Sequence, residues 1–257
     1  DLGKGPLIFS IAVASLVVAL WCVAIRLYIR IQMMKKIQWD DRLLVIGTLF
    51  SIVAVAFNIT MVSHGAGRHQ NNLTTGEVAQ ILRFNTLFTA MHIPCVCLIK
   101  TSILIFVLRV QNSKWVAGLI YALLALTILV GLGTSIFIWF QCVPFDAVWN
   151  PLVKGKCISR KVYGKVGVFH GVIYSTLDLV LTMLPVIVLW NVQLKKRIKV
   201  GICFLLSLGL GATAFNIMRV VYHNQLASED VTYDLWIIDV AAQMEQNICI
   251  VAACIPT

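Results

Sequence analysis

Residues 233–257, YDLWIIDVAAQMEQNICIVAACIPT, decide the fold. The stretch is long enough to cross a bilayer, yet its interior carries the carboxylates of Asp239 and Glu245 and the amides of Gln243, Gln246 and Asn247. On a helix turning about 100° per residue, Asp239, Gln243 and Gln246 share one face, Asn247 sits beside them, and the opposite arc is apolar. A carboxylate near the middle of a bilayer is costly unless it finds a partner or water. The stretch therefore predicts a bundle around it, and cations inside that bundle to meet its acids.

The rest of the chain fits that expectation. Of 257 residues, 60% are hydrophobic and only 12% are charged, and the mean hydropathy is +0.89, where a soluble domain carries roughly a quarter charged residues. The formal charge of +10 would suggest nucleic acid in a soluble protein. Here Lys and Arg fall in short connections between apolar runs, as topology signals and anionic-lipid contacts do, so nucleic acid is excluded as a partner and the lipid bilayer is expected. The fold class expected is an all-α seven-span bundle, one membrane domain over 1–257 with tails missing, the first span serving as signal.

The spans fall near 7–29, 43–62, 81–108, 115–140, 166–190, 200–222 and 233–256, each with the roughly 20 apolar residues that a crossing needs. Connections after the first, third and fifth spans hold Arg30, Lys35, Lys36, Arg42, Arg109, Lys114 and Lys195, Lys196, Arg197, Lys199. The other connections are longer and hold fewer cations, which predicts the N-terminus outside and the C-terminus in the cytosol. Asn72-Leu-Thr74 is then a glycosylation sequon in an outer loop, and localisation is expected in the plasma membrane or an endomembrane.

Six of the eight cysteines (Cys22, Cys95, Cys97, Cys203, Cys249, Cys254) lie within spans and read as small apolar side chains, with no metal site expected. Cys142 and Cys157 stand apart on the predicted outer side, and a disulfide between them is expected. The intramembrane ionisable set is Lys100, Asp178, Arg219, Asp239 and Glu245, with His92 two residues before Pro94. Arg219 and Asp239 lie toward the same ends of neighbouring spans and are expected to pair. Lys100 is placed to reach either cytosolic water or the central acids. The set reads either as ion pairs that lock the bundle or as a pocket for ligand, proton or catalysis. No cofactor is expected: span 7 has no Lys on which retinal could hang.

Several short runs, in order, carry a resemblance: Arg26 with Arg30, Asp40-Asp41, Gly65-Ala-Gly67-Arg68-His69, Lys100-Thr-Ser102, Cys142-Val-Pro144, Gly155-Lys156-Cys157, Asp178 with Leu184-Pro185, Arg219, Glu245 and Ala253-Cys254-Ile255-Pro256. Together they resemble the fungal rhodopsin-domain proteins, among them Pth-like seven-span receptors and satratoxin-cluster membrane proteins. The resemblance implies a seven-helix fold with an outer disulfide, and not one activity. Residues 87–94, LFTAMHIP, depart from the aromatic or small-residue run usual there.

Two functions remain open. The first is a receptor-like protein that binds a small apolar or peptide cue and reports to a cytosolic signalling partner. The alternative is a membrane-embedded cyclase or isomerase of a terpenoid or other secondary-metabolite (mycotoxin) pathway, with Asp178, Asp239 or Glu245 as the acid and Trp139, Tyr174, Tyr222 and Trp236 as walls around a developing cation.

Overall fold

In a bilayer every backbone amide must find its partner within the protein, so each long apolar run folds as a helix. The computed structural model describes residues 4–69, 73–111, 113–150, 153–189, 196–223 and 231–255, with the backbone alone at 160, 185–189, 196–203, 223 and 231–234. Its helices are α1 (Gly5–Tyr28), α2 (Trp39–Ser63), α3 (Thr75–Val110), α4 (Lys114–Trp139), α5 (Arg160–Leu189), α6 (Lys196–His223) and α7 (Val231–Cys254). All seven are long and apolar enough to span a membrane, so the chain is an integral, multi-pass membrane protein. Asn72, Trp190 and Lys195 lie outside the described residues.

Local chemistry sets several helix ends. Thr74 and Glu77 form a capping box: the Thr74 hydroxyl accepts from the Glu77 N–H at 3.3 Å while the Glu77 carboxylate accepts from the Thr74 N–H at 2.7 Å. Two orphan donors at the start of α3 are thereby satisfied. Asp41 accepts from the Gln38 N–H at 3.2 Å and closes the equivalent box on α2. After α2 the chain turns through Gly65 and Gly67 with φ of +97° and +84°, values that an L side chain resists. α3 continues through Pro94.

Successive helices are neighbours, α7 returns against α1 to close the ring, and α3 also meets α7 directly. α7 is the best-covered element, with 67% of its span buried against 22% for α4. Its polar face thus lies inside the bundle, and α4 turns Leu129, Leu132 and Ile136 outward to lipid. Small side chains bring the helices together. A Cβ on Gly131 of α4 would fall 2.6 Å from both Cys97 Sγ of α3 and the Tyr174 hydroxyl of α5, and one on Gly171 of α5 would strike Val220 of α6. Cys95 and Cys249 pack with Ala212 and Ala253 in the largest apolar cluster, as small core residues do.

Between α4 and α5 two short strands, β1 (Cys142–Val143) and β2 (Lys156–Cys157), pair antiparallel with Cys142 opposite Cys157. These two cysteines form the expected disulfide. α1, α3, α5 and α7 all begin at this disulfide end of the bundle. Arg26, Arg30, Asp40 and Asp41 mark the opposite end.

Candidate functional site

Four charges meet where α3, α5, α6 and α7 converge. The Lys100 ammonium lies 2.9 Å from Asp178 Oδ1 and 3.8 Å from Glu245 Oε1, donates to the Tyr174 carbonyl at 3.1 Å, and stands 4.4 Å over the Tyr174 ring. Arg219 Nη1 lies 3.5 Å from Glu245 Oε2, and Arg219 Nη2 donates to Asn216 Oδ1 at 3.1 Å. Asn216 Nδ2 donates to Glu245 Oε1 at 3.1 Å. Lys100 and Glu245 are fully buried and Asp178 is 5% exposed. Two cations and two anions balance, as a low-dielectric site requires. Asp178 Oδ2 and Glu245 Oε2 nonetheless accept no hydrogen bond from the described residues.

The expected Arg219–Asp239 pair does not form. Arg219 turns to Glu245 and to His92, while Asp239 Oδ1 accepts from Asn85 Nδ2 at 3.0 Å. The reason is the lean of helical side chains toward their own N-terminus. α6 and α7 are antiparallel, so Arg219 leans away from the disulfide end and Asp239 leans toward it. Glu245, deeper on α7, leans toward the disulfide end and meets Arg219. The same rule decides Lys100: on α3 it leans away from the end that carries Arg109 and reaches the central acids.

A chain of hydrogen bonds leaves the charge centre through His92. Arg219 carries only donors, so its Nη1, 2.7 Å from His92 Nε2, makes that nitrogen the acceptor. His92 Nδ1–H then donates to Gln246 Oε1 at 3.0 Å, and Gln246 Nε2 to Ser51 Oγ at 3.2 Å. Ser51 donates to Asn247 Oδ1 at 3.1 Å, and Asn247 Nδ2 to Ser15 Oγ at 2.8 Å. One guanidinium thus sets the polarity of a relay from α6 through α3, α7 and α2 to α1. The contact of His92 Nε2 with Glu245 Oε2 at 3.8 Å is too long for a hydrogen bond, and Arg219 occupies the nitrogen lone pair.

A second set of charges closes the opposite end. Arg26 Nε donates to Asp41 Oδ1 at 2.9 Å, Arg26 Nη2 lies 2.8 Å from both Asp40 Oδ2 and Asp41 Oδ1, and Arg26 Nη1 donates to the Ala253 carbonyl near the end of α7. Arg30 stands 3.5 and 3.6 Å from the same carboxylates. Ser102 of α3 donates to the Asp40 carbonyl at 2.7 Å. Arg26 is only 2% exposed.

The structure thus brings together Lys100, Asp178, Arg219, Glu245 and His92, and sets Asp239 apart beside Asn85. The proposed aromatic walls scatter. Trp139 is 42% exposed and packs on Phe145 at 5.2 Å, Trp236 lies under Lys4, and Tyr174 is buried against His170 at 4.1 Å. Reading for ionisable spans missed two amides that hold the acids, Asn85 and Asn216, placed Gln246 on the polar face without a partner, and missed the buried state of Arg30, counted above as a loop cation. Their depth on polar helix faces was the available signal.

The fungal rhodopsin domain matches residues 25–257 as a family. The chain is 28% identical over 198 residues to an SAT4 family membrane protein of Emericella nidulans, covering 75% of this chain and 49% of that protein. It is 22% identical over 249 residues to the polyenoic acids biosynthesis gene cluster protein Ba17b of Metarhizium anisopliae, covering 91% and 67%. It is 24% identical over 229 residues to fugralins biosynthesis cluster protein 2 of Gibberella zeae, covering 83% and 54%. The chain therefore spans about half to two thirds of the length of these relatives. No solved structure matches it.

Proposed function

This chain belongs to the fungal rhodopsin domain family, and from that premise we propose that it works as a receptor-like membrane protein, N-terminus outside, that binds a small apolar cue and changes the packing of its helices. One observation carries the reading. The charge centre joins four helices through ion pairs of which only Lys100–Asp178 is short, and Asp178 Oδ2 and Glu245 Oε2 accept no hydrogen bond from the described residues. A bound cue that repositions α6 against α7 exchanges one set of ion pairs for another without stranding a charge. Lys100 stands between two carboxylates and Glu245 between two cations, so each has an alternative partner within reach, which is what a switching bundle needs. Two relatives bear the names of biosynthesis-cluster proteins, which supports a secondary metabolite as the cue.

The test uses the chain in lipid nanodiscs, with spin labels on α6 and α7 and pulsed electron resonance to read their separation. Apolar extracts of a metabolite-producing fungal culture should shift the distance distribution in the wild type. Glu245→Gln and Asp178→Asn should fold and lose the shift. No shift in the wild type with any extract fraction counts against the receptor reading. The same relatives' names support the alternative, a membrane-embedded enzyme of a biosynthetic pathway. Mass spectrometry of the incubated fractions separates the two, because an enzyme consumes one compound and forms another, whereas a receptor returns its cue unchanged.

A further inference from the structure

Between the charge centre and the disulfide end lies a layer of buried polar atoms that no hydrogen bond from the described residues satisfies. Asp239 and Gln243 are 1% exposed and Asn58 is fully buried. Asp239 Oδ2, both polar atoms of Gln243 and both of Asn58 accept or donate no hydrogen bond. Buried amides and carboxylates are satisfied in the great majority of cases, and an unmet cluster calls for a water or ion to fill it.

Helix register places these groups at one level. Ser51 of α2 meets Gln246 and Asn247 of α7, and Ala54 packs in one cluster with Ala242. Asn58 is one turn further along α2 on the same buried face, which sets it opposite the turn of α7 that holds Asp239 and Gln243. Asn85 of α3 closes the third side by its hydrogen bond to Asp239. Asp239 forms no ion pair among the described residues, in contrast to Asp178 and Glu245.

We propose that this layer is a binding site for a monovalent cation, held by Asp239 Oδ2 and the amide oxygens of Asn58 and Gln243. An isolated carboxylate in a membrane interior calls for a positive charge beside it. The available ligands are all oxygens, which suit a hard cation or a primary ammonium group and not a thiolate-seeking metal. One carboxylate with two neutral amides fits a single positive charge, because calcium sites draw on several carboxylates. The cation is either a free alkali ion or the ammonium head of a small amine.

The experiment measures the melting temperature of the nanodisc-held chain at constant ionic strength and chloride, exchanging N-methylglucamine for sodium, potassium or methylammonium. The site predicts a saturable rise of about 3 °C or more with at least one of the three. A rise with sodium or potassium alone assigns an inorganic ion, and a rise with methylammonium alone assigns an amine. Asp239→Asn should abolish the rise. Should that variant fail to fold, Gln243→Met replaces it and should at least halve the rise. Equal melting temperatures of the wild type in all four salts overturn the proposal, as does an undiminished rise in either folded variant.

Discussion

Two sets of buried charges in this bundle have the same composition, two cations and two carboxylates, and opposite construction. At the end away from the disulfide, Arg26 reaches both carboxylates at 2.8 Å, and three contacts tie the set to backbone: the Gln38 N–H on Asp41, the Ala253 carbonyl on Arg26, and the Ser102 hydroxyl on the Asp40 carbonyl. In the centre the charges come from four helices, two of their three ion pairs stand at 3.5 and 3.8 Å, and two carboxylate oxygens accept no hydrogen bond from the described residues. The difference teaches that the buried charge count does not show which cluster is rigid. Anchoring to backbone does: the end set is tied to backbone at Arg26, Asp41 and the Asp40 carbonyl and clamps α1, α2, α3 and α7, whereas in the centre Lys100 holds the Tyr174 carbonyl and Arg219 and Glu245 are held by side chains that can exchange.

Removing the anchor has the largest expected effect. Arg26→Met leaves Asp40 and Asp41 facing Arg30 alone and should cost roughly 3 to 5 kcal/mol, seen as loss of the monodisperse peak in size-exclusion chromatography after solubilisation. Normal folding of that variant would erase the contrast between the two sets. A smaller loss is expected from Gln246→Leu, which cuts the relay between His92 and Ser51 and should cost about 1 to 3 kcal/mol by stranding two buried partners. Its sharper signature is uncoupling: the variant should bind the cue and fail to transmit movement from α6 to α1, read by labels on those two helices. Smallest in energy is the topology. An impermeant thiol reagent applied to intact cells should leave a cysteine introduced at Lys196 unlabelled, and labelling there would invert the proposed orientation.

Sequence carried the fold because the polar residues of 233–257 sit on one arc of a helix otherwise made for lipid. That pattern is periodic and local, so it survives without coordinates, and it also marked Lys100, Asp178, Arg219 and Glu245 as groups that must face inward. Which cation meets which acid was not legible from depth alone. Arg219 and Asp239 occupy similar heights but lean apart on antiparallel helices, and the six residues from Asp239 to Glu245 are bridged by that lean. The relay through Gln246, Ser51 and Asn247 was less legible still, because neutral amides give no charge signal and their partners depend on helix rotation. Arg26, Asp40 and Asp41 entered only through resemblance, and Arg30 otherwise only as a loop cation. Near span ends, such residues look like ordinary interfacial charges, and only the return of α7 against α1 reveals them as buried.

The most direct test of the contrast is the melting temperature of two isosteric variants in the same nanodiscs, Asp41→Asn and Glu245→Gln. Each removes one negative charge and keeps the side chain's shape. The anchored cluster should lose roughly 3 to 5 kcal/mol, and the central one about 1 to 2 kcal/mol, because Lys100 keeps its short pair with Asp178 and Arg219 its hydrogen bonds to His92 and Asn216 when the charge on Glu245 is removed. The account predicts a drop for Asp41→Asn at least twice that for Glu245→Gln. Equal drops, or a larger one for Glu245→Gln, would contradict it and make the centre as rigid a clamp as the end.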